Sequence, residues 1–119
     1  MEKLLEAIPD VDIDDNGTFK YILIDVYGKD DSIQKVILRG YLRDYHMTIF
    51  EEVEEKIQKI SKDIRMDCPG GGFIQHNAAA KKIKVYGKSI GYGAADHKVA
   101  VKLLQKAYPD YEVITTNED

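Results

Sequence analysis

The chain has no excess of basic charge. Its 17 lysines and arginines stand against 21 acidic residues, a formal net charge of -4, with 32% charged residues in all. Binding to nucleic acid needs a basic patch or stripe to meet the phosphates, so that class of partner is disfavoured. Cysteine is nearly missing too. The single one, Cys68, cannot close an internal disulfide, and it makes no recognisable metal spacing with His46, His76 or His97. Neither a disulfide scaffold nor a metal centre is expected, and a reducing, cytoplasmic setting follows. No apolar run approaches a membrane span, and no apolar leader preceded by positive charge stands at the amino end, so neither secretion nor membrane insertion is expected. P-loop and Rossmann spacings, internal repeats and dividing linkers are also absent. What remains is one domain over residues 1–119 with a single core.

Two strands open the recognisable pattern. Phe19 to Tyr27 follows the turn-like Asp14-Asp15-Asn16-Gly17, and its period of two puts Lys20, Ile22, Ile24 and Val26 on one face. Both faces are largely apolar, the mark of a central strand. After a polar turn over Gly28 to Ser32, Ile33 to Tyr41 reads as an antiparallel partner. The period then changes. Phe50, Val53, Ile57, Ile60 and Ile64 fall on one stripe of a helix from about Tyr45 to Ile64, with Asp44 as its expected N-cap. Glu51 and Glu52 early and Lys59 and Lys62 late suit its dipole. The run Cys68-Pro69-Gly70-Gly71-Gly72 should stop that helix and turn the chain. A brief strand at Phe73 to Gln75, a half-buried strand at Lys81 to Gly87, a helix at Ala95 to Ala107 and a last strand at Tyr111 to Thr115 complete the chain. The expected class is α/β (α+β): a mixed sheet flanked by two α-helices.

His46 carries the strongest chemical signal. In the first turn of a helix its own amide lacks an intrahelical acceptor, and the positive end of the dipole favours the neutral ring, able to attack phosphorus or take a proton from water. Lys20, on an apolar strand face, either holds an anion or snorkels outward. Arg39 either grips a phosphate or pairs with a carboxylate such as Asp25. Ser89-Ile90-Gly91 offers amide donors and a hydroxyl, and Gly70-Gly71-Gly72 is either a phosphate nest or a plain flexible turn. His76 and His97 read as structural or solvated, with His97 able to bond a neighbouring carbonyl.

At these residues the chain resembles the janus family of protein histidine phosphatases. The likeness runs from Ile8-Pro9-Asp10-Val11-Asp12-Ile13-Asp14 through Phe19-Lys20-Tyr21, Arg39-Gly40-Tyr41, Tyr45-His46 and Gly70-Gly71-Gly72. It continues through Lys82-Ile83-Lys84-Val85-Tyr86-Gly87, Ser89 and Tyr92-Gly93 to Tyr108-Pro109-Asp110-Tyr111-Glu112-Val113. The resemblance implies hydrolysis of the P–N bond of phosphohistidine, and of phospholysine, in proteins or peptides, releasing inorganic phosphate without a metal or other cofactor. It implies an active histidine at His46, and phosphate binding by Lys20, Ser89 and the amides around His46, Ser89 and Gly91, with Arg39 nearby. A monomer is expected. Phe73 stands where relatives carry an arginine, Lys88 where they carry a tyrosine, and Ile90-Gly91 where they carry Met-Ala, differences that bear on substrate recognition more than on phosphoryl chemistry. The rival expectation is a non-catalytic phosphate-binding module that regulates partners by occupancy.

Overall fold

The computed structural model describes residues 2–29 and 34–116. Its elements run α1 (Glu2–Ala7), β1 (Val11–Ile13), β2 (Gly17–Tyr27), β3 (Gln34–Tyr41), α2 (His46–Ile60), β4 (Arg65–Asn77), β5 (Lys82–Tyr86), α3 (His97–Ala107) and β6 (Glu112–Thr115). The strands form one mixed sheet in the order β1-β3-β2-β4-β5-β6. The outer pairs, β1 with β3 and β5 with β6, are parallel, and the inner ones are antiparallel. The mixed sheet and its flanking helices agree with expectation, as does the antiparallel pairing of the first two long strands. Residues 30–33, which hold most of the expected turn and the first residue of the second strand, lie outside the described residues.

β2 is central and apolar on both faces because each face is covered. One face presents Ile22, Ile24 and Val26, joined by Ile37 of β3, to Leu5 and Ile8 of the N-terminal segment and to Ile49, Val53 and Ile57 of α2. Phe19, Tyr21 and Leu23 on the other face meet Ile74, Val85 and, from α3, Ala100 and Leu104. A fully buried aliphatic side chain contributes roughly 1.5–3 kcal/mol, so these two layers dominate the stability.

Four local expectations need correction. A short helix, α1, and a short strand, β1, precede the first long strand; too few residues for a periodic signal, they are held from outside. Lys35 Nζ donates to the carbonyls of Leu5 (2.8 Å) and Ile8 (2.5 Å) at the end of α1 and pairs with Asp10 at 3.0 Å, adding to the Ile8 amide bond that the Leu5 carbonyl already accepts (3.1 Å). Second, α2 stops at Ile60 and not at Ile64. Ser61 turns extended, and its Oγ accepts from the Asp63 amide (3.2 Å), a local bond that competes with the helix.

Third, the glycine run is no turn. It lies inside the 13-residue strand β4, and Pro69 is accommodated because the pairing with β2 shifts register between Leu23 and Asp25, opposite Gly70 and Asp67. A bulge there removes the need for the N–H that proline lacks. Fourth, α3 begins at His97 under an Asp96 cap that accepts from the Lys98 amide (3.1 Å), and it buries Ala100 and Leu104. Of the expected stripe, Val99 and Leu103 pack partly buried against the same core, while Ala107 is exposed.

Candidate active site

His46 is the first residue of α2, and its side chain is buried. The residue before it, Tyr45, is extended and makes no side-chain cap, and no acidic residue stands in the first turn. Asp44 is therefore not the cap, and Glu51 and Glu52 begin only beyond that turn. The first amides of α2 keep their positive potential uncompensated.

The ring has one orientation and one tautomer. Nε2 lies 2.8 Å from the carbonyl oxygen of Gly72, and because a carbonyl only accepts, Nε2 carries the hydrogen. Nδ1 then holds the lone pair. It has no protein partner among the described residues and is not a buried orphan. This contact needs Gly71: a β-carbon there would lie 2.8 Å from His46 Cδ2 and 2.7 Å from the Tyr21 carbonyl oxygen. So the glycine run in β4 makes room for an imidazole, and the same strand supplies its acceptor.

Burial, first, and the Lys20 ammonium, second, hold the His46 pKa below the ordinary histidine value, against the opposing pull of the Gly72 hydrogen bond. Desolvation is the larger of the two causes that favour the neutral ring.

Lys20, His46, Phe73, Ser89 and Gly91 line one cleft of about 640 Å³. Lys20 is half-buried, with Nζ 5.6 Å from the centre of the Phe73 ring, and it has no carboxylate partner among the described residues. Phe73 meets His46 edge-on at 5.7 Å and stacks on Tyr86 at 5.7 Å. Across the cleft, the Ser89–Gly93 loop is closed by two backbone bonds, Ser89 N–H to the Gly93 carbonyl (3.1 Å) and Gly93 N–H to the Ser89 carbonyl (2.8 Å). Ser89 Oγ accepts from the Tyr92 amide at 3.1 Å. The Ser89 amide is thus spent inside the loop, unlike the expected free donor, while its hydroxyl hydrogen and the amides of Ile90 and Gly91 have no protein acceptor among the described residues.

Arg39 is not brought to this cleft. It lies beneath the middle of α2, beside Pro9, Val53 and Ile57, and its guanidinium donates to the carbonyls of Leu38 (2.9 Å) and Pro9 (2.8 Å). No ion pair with Asp25 forms among the described residues, and two carbonyls that the sequence could not place there accept from it. Sequence reasoning also passed over Tyr45, Met47 and Tyr92, which line the cleft with Lys88 and Ile90; nothing in their spacing distinguishes them from packing residues. His76 is structural: Nδ1 donates to the Asp14 carbonyl (2.9 Å), and Nε2 accepts from Tyr111 Oη (3.2 Å). His97 Nε2 donates to the Gly87 carbonyl (2.8 Å), and its Nδ1 accepts from Tyr21 Oη.

A neutral imidazole with one free nitrogen, set beside an unpaired ammonium and open loop amides, has the chemistry that can meet a small oxyanion and offer it a nucleophile or base. The Janus/Ocnus family model matches residues 5–112. Among curated proteins, the "14 kDa phosphohistidine phosphatase" of Sus scrofa is 45% identical over 115 residues, covering 92% of this chain and 90% of its own length. That of Homo sapiens is 43% identical over 120 residues, covering 96% and 94%. The "Sex-regulated protein janus-A" of Drosophila melanogaster is 41% identical over 118 residues, covering 98% and 85%. This chain belongs to the Janus/Ocnus family.

Proposed function

We propose that residues 1–119 act as one protein histidine phosphatase unit, hydrolysing the P–N bond of phosphohistidine in proteins or peptides, and of phospholysine. The names of the pig and human relatives support this reading, and the observation that carries it is His46: Nε2 fixed on Gly72 and Nδ1 unengaged, in one cleft with an unpaired Lys20. Phosphorus is met by the Nδ1 lone pair, or by a water whose proton Nδ1 takes. In the first route an N–P bond to His46 forms as the substrate's N–P bond breaks, the leaving imidazole nitrogen takes a proton, and water then releases inorganic phosphate. Phosphate trapped on His46 in rapid quench marks the first route, and none marks the second.

Lys20, the Ser89 hydroxyl and the Ile90 and Gly91 amides neutralise the phosphoryl oxygens. Protein cations and amides supply the charge in this proposal, so EDTA should leave turnover intact. We take the protein to work as a cytoplasmic monomer, and a stable dimer in sedimentation at working concentration would contradict that. His46→Ala should abolish phosphate release from a phosphohistidine peptide with the urea transition kept. Retained turnover ends the assignment, and binding of the peptide by the unaltered protein without turnover favours the non-catalytic module.

A further inference from the structure

The His46 cleft is larger and more apolar than a phosphoryl group requires. Its volume, about 640 Å³, is in the range that takes a drug-sized ligand. Six large hydrophobic side chains are exposed among the described residues, and three of them, Tyr45, Met47 and Ile90, line this cleft. Ile90 is completely exposed, at the tip of a loop that its own Ser89–Gly93 bonds already close. Tyr45 occupies the cap position of α2 without capping it. Neither residue stabilises the fold where it stands, and exposed apolar side chains gathered around a concave site mark a binding surface.

Charge narrows the occupant further. Lys20 and Lys88 line the cleft and have no carboxylate partners among the described residues, against a single acid, Asp44. An anion is wanted at the floor and apolar surface at the rim. We infer that the cleft selects phosphohistidine segments with a large aliphatic or aromatic side chain next to the modified histidine, seated between Tyr45 and Met47 at the start of α2 and Ile90 of the facing loop. This rests on the phosphohistidine reading of the site.

The test uses the whole protein and peptides bearing a stable phosphotriazole analogue of phosphohistidine, flanked by Leu, Ser or Asp, with affinity read by calorimetry. Burial of most of one aliphatic side chain should favour the Leu peptide over the Ser peptide about tenfold. Ile90→Ser and Met47→Ser, both at exposed positions, should bring that ratio below about threefold. A ratio near one, a ratio unmoved by Ile90→Ser, or tightest binding of the Asp peptide through Lys88 would overturn the inference. Hydrolysis of phosphoramidate, which has no flanking residue, reads the phosphatase reading separately. Turnover of phosphoramidate with equal peptide affinities sinks only the apolar preference, whereas the tenfold preference without any turnover sustains it and sinks the catalytic reading.

Discussion

Replacing Gly71 by alanine tests the packing that orients the imidazole. The added β-carbon would stand 2.8 Å from His46 Cδ2 on one side and 2.7 Å from the Tyr21 carbonyl oxygen on the other, where ordinary contact begins near 3.4 Å. Tyr21 and Gly72 are register partners in the centre of the sheet, so the β2 backbone can give little. The ring is the softer neighbour, but it is tethered through Nε2 to Gly72 at 2.8 Å. Moving it by several tenths of an ångström lengthens that bond and re-aims Nδ1. Overpacking of this kind costs about 1–3 kcal/mol of stability, and displacing a reacting group by about 1 Å costs about 100-fold in rate. Gly71→Ala should therefore lower kcat/KM for phosphate release from a phosphohistidine peptide by about 10- to 100-fold under conditions where the protein is still folded. Urea titration reads the stability, and nitrogen chemical shifts of His46 read the tautomer. Gly91→Ala is the steric control for stability, because a β-carbon there meets nothing within 4 Å; its urea midpoint should hold. Unchanged kcat/KM in Gly71→Ala, with stability within about 0.5 kcal/mol of the parent, would refute the reasoning.

Lys20→Ala should weaken binding of inorganic phosphate by about 1.5–3 kcal/mol, the loss of one charge-assisted contact, as measured by calorimetry; unaltered affinity would remove its anchoring role. Because the folded His46 pKa is depressed by burial and by Lys20, activity should fall with pH only below the ordinary histidine value, with a kcat/KM limb under about 6.5. Stability moves in the same direction: the unfolded chain takes up the proton first, so folding weakens as pH falls through the unfolded pKa, and paired denaturation curves above and below it give the sign. Arg39→Ala should destabilise the fold by about 1–3 kcal/mol, since it removes a donor from the carbonyl of the buried Leu38 as well as from that of Pro9, yet leave kcat/KM per folded molecule intact; a selective loss of phosphate affinity would return Arg39 to the site.

Elements with a repeating pattern were legible in type and in part of their buried face: Val53 and Ile57 of the α2 stripe are buried, while Ile60 is exposed and Ile64 lies beyond the helix. The period-two run of β2 and the three-and-four spacing of α2 each arise from one element burying one or two faces, and the sequence records that directly. Lys20 stood out because it breaks such a pattern, and His46 because it stands where one begins. Arg39 broke it as well and misled, since an apolar stripe shows that a cation is unusual there without showing what meets it. The carbonyl of Pro9, 30 residues away in the chain, is what does. The glycine run misled for the opposite reason: glycine serves a tight turn and a crowded strand equally well.

By itself, then, the amino-acid sequence determined the alternation of strands and helices, the central position of β2 and the presence of His46 at a helix start, because each depends on residues close in the chain. Only the tertiary structure decided which nitrogen of His46 is free, because its partner is the Gly72 carbonyl, and that the approach is possible, because Gly71 lacks a side chain. It also decided that Lys20 shares the cleft with His46 and that Arg39 does not. These are contacts across the sheet between residues far apart in sequence, and no local periodicity carries their distances.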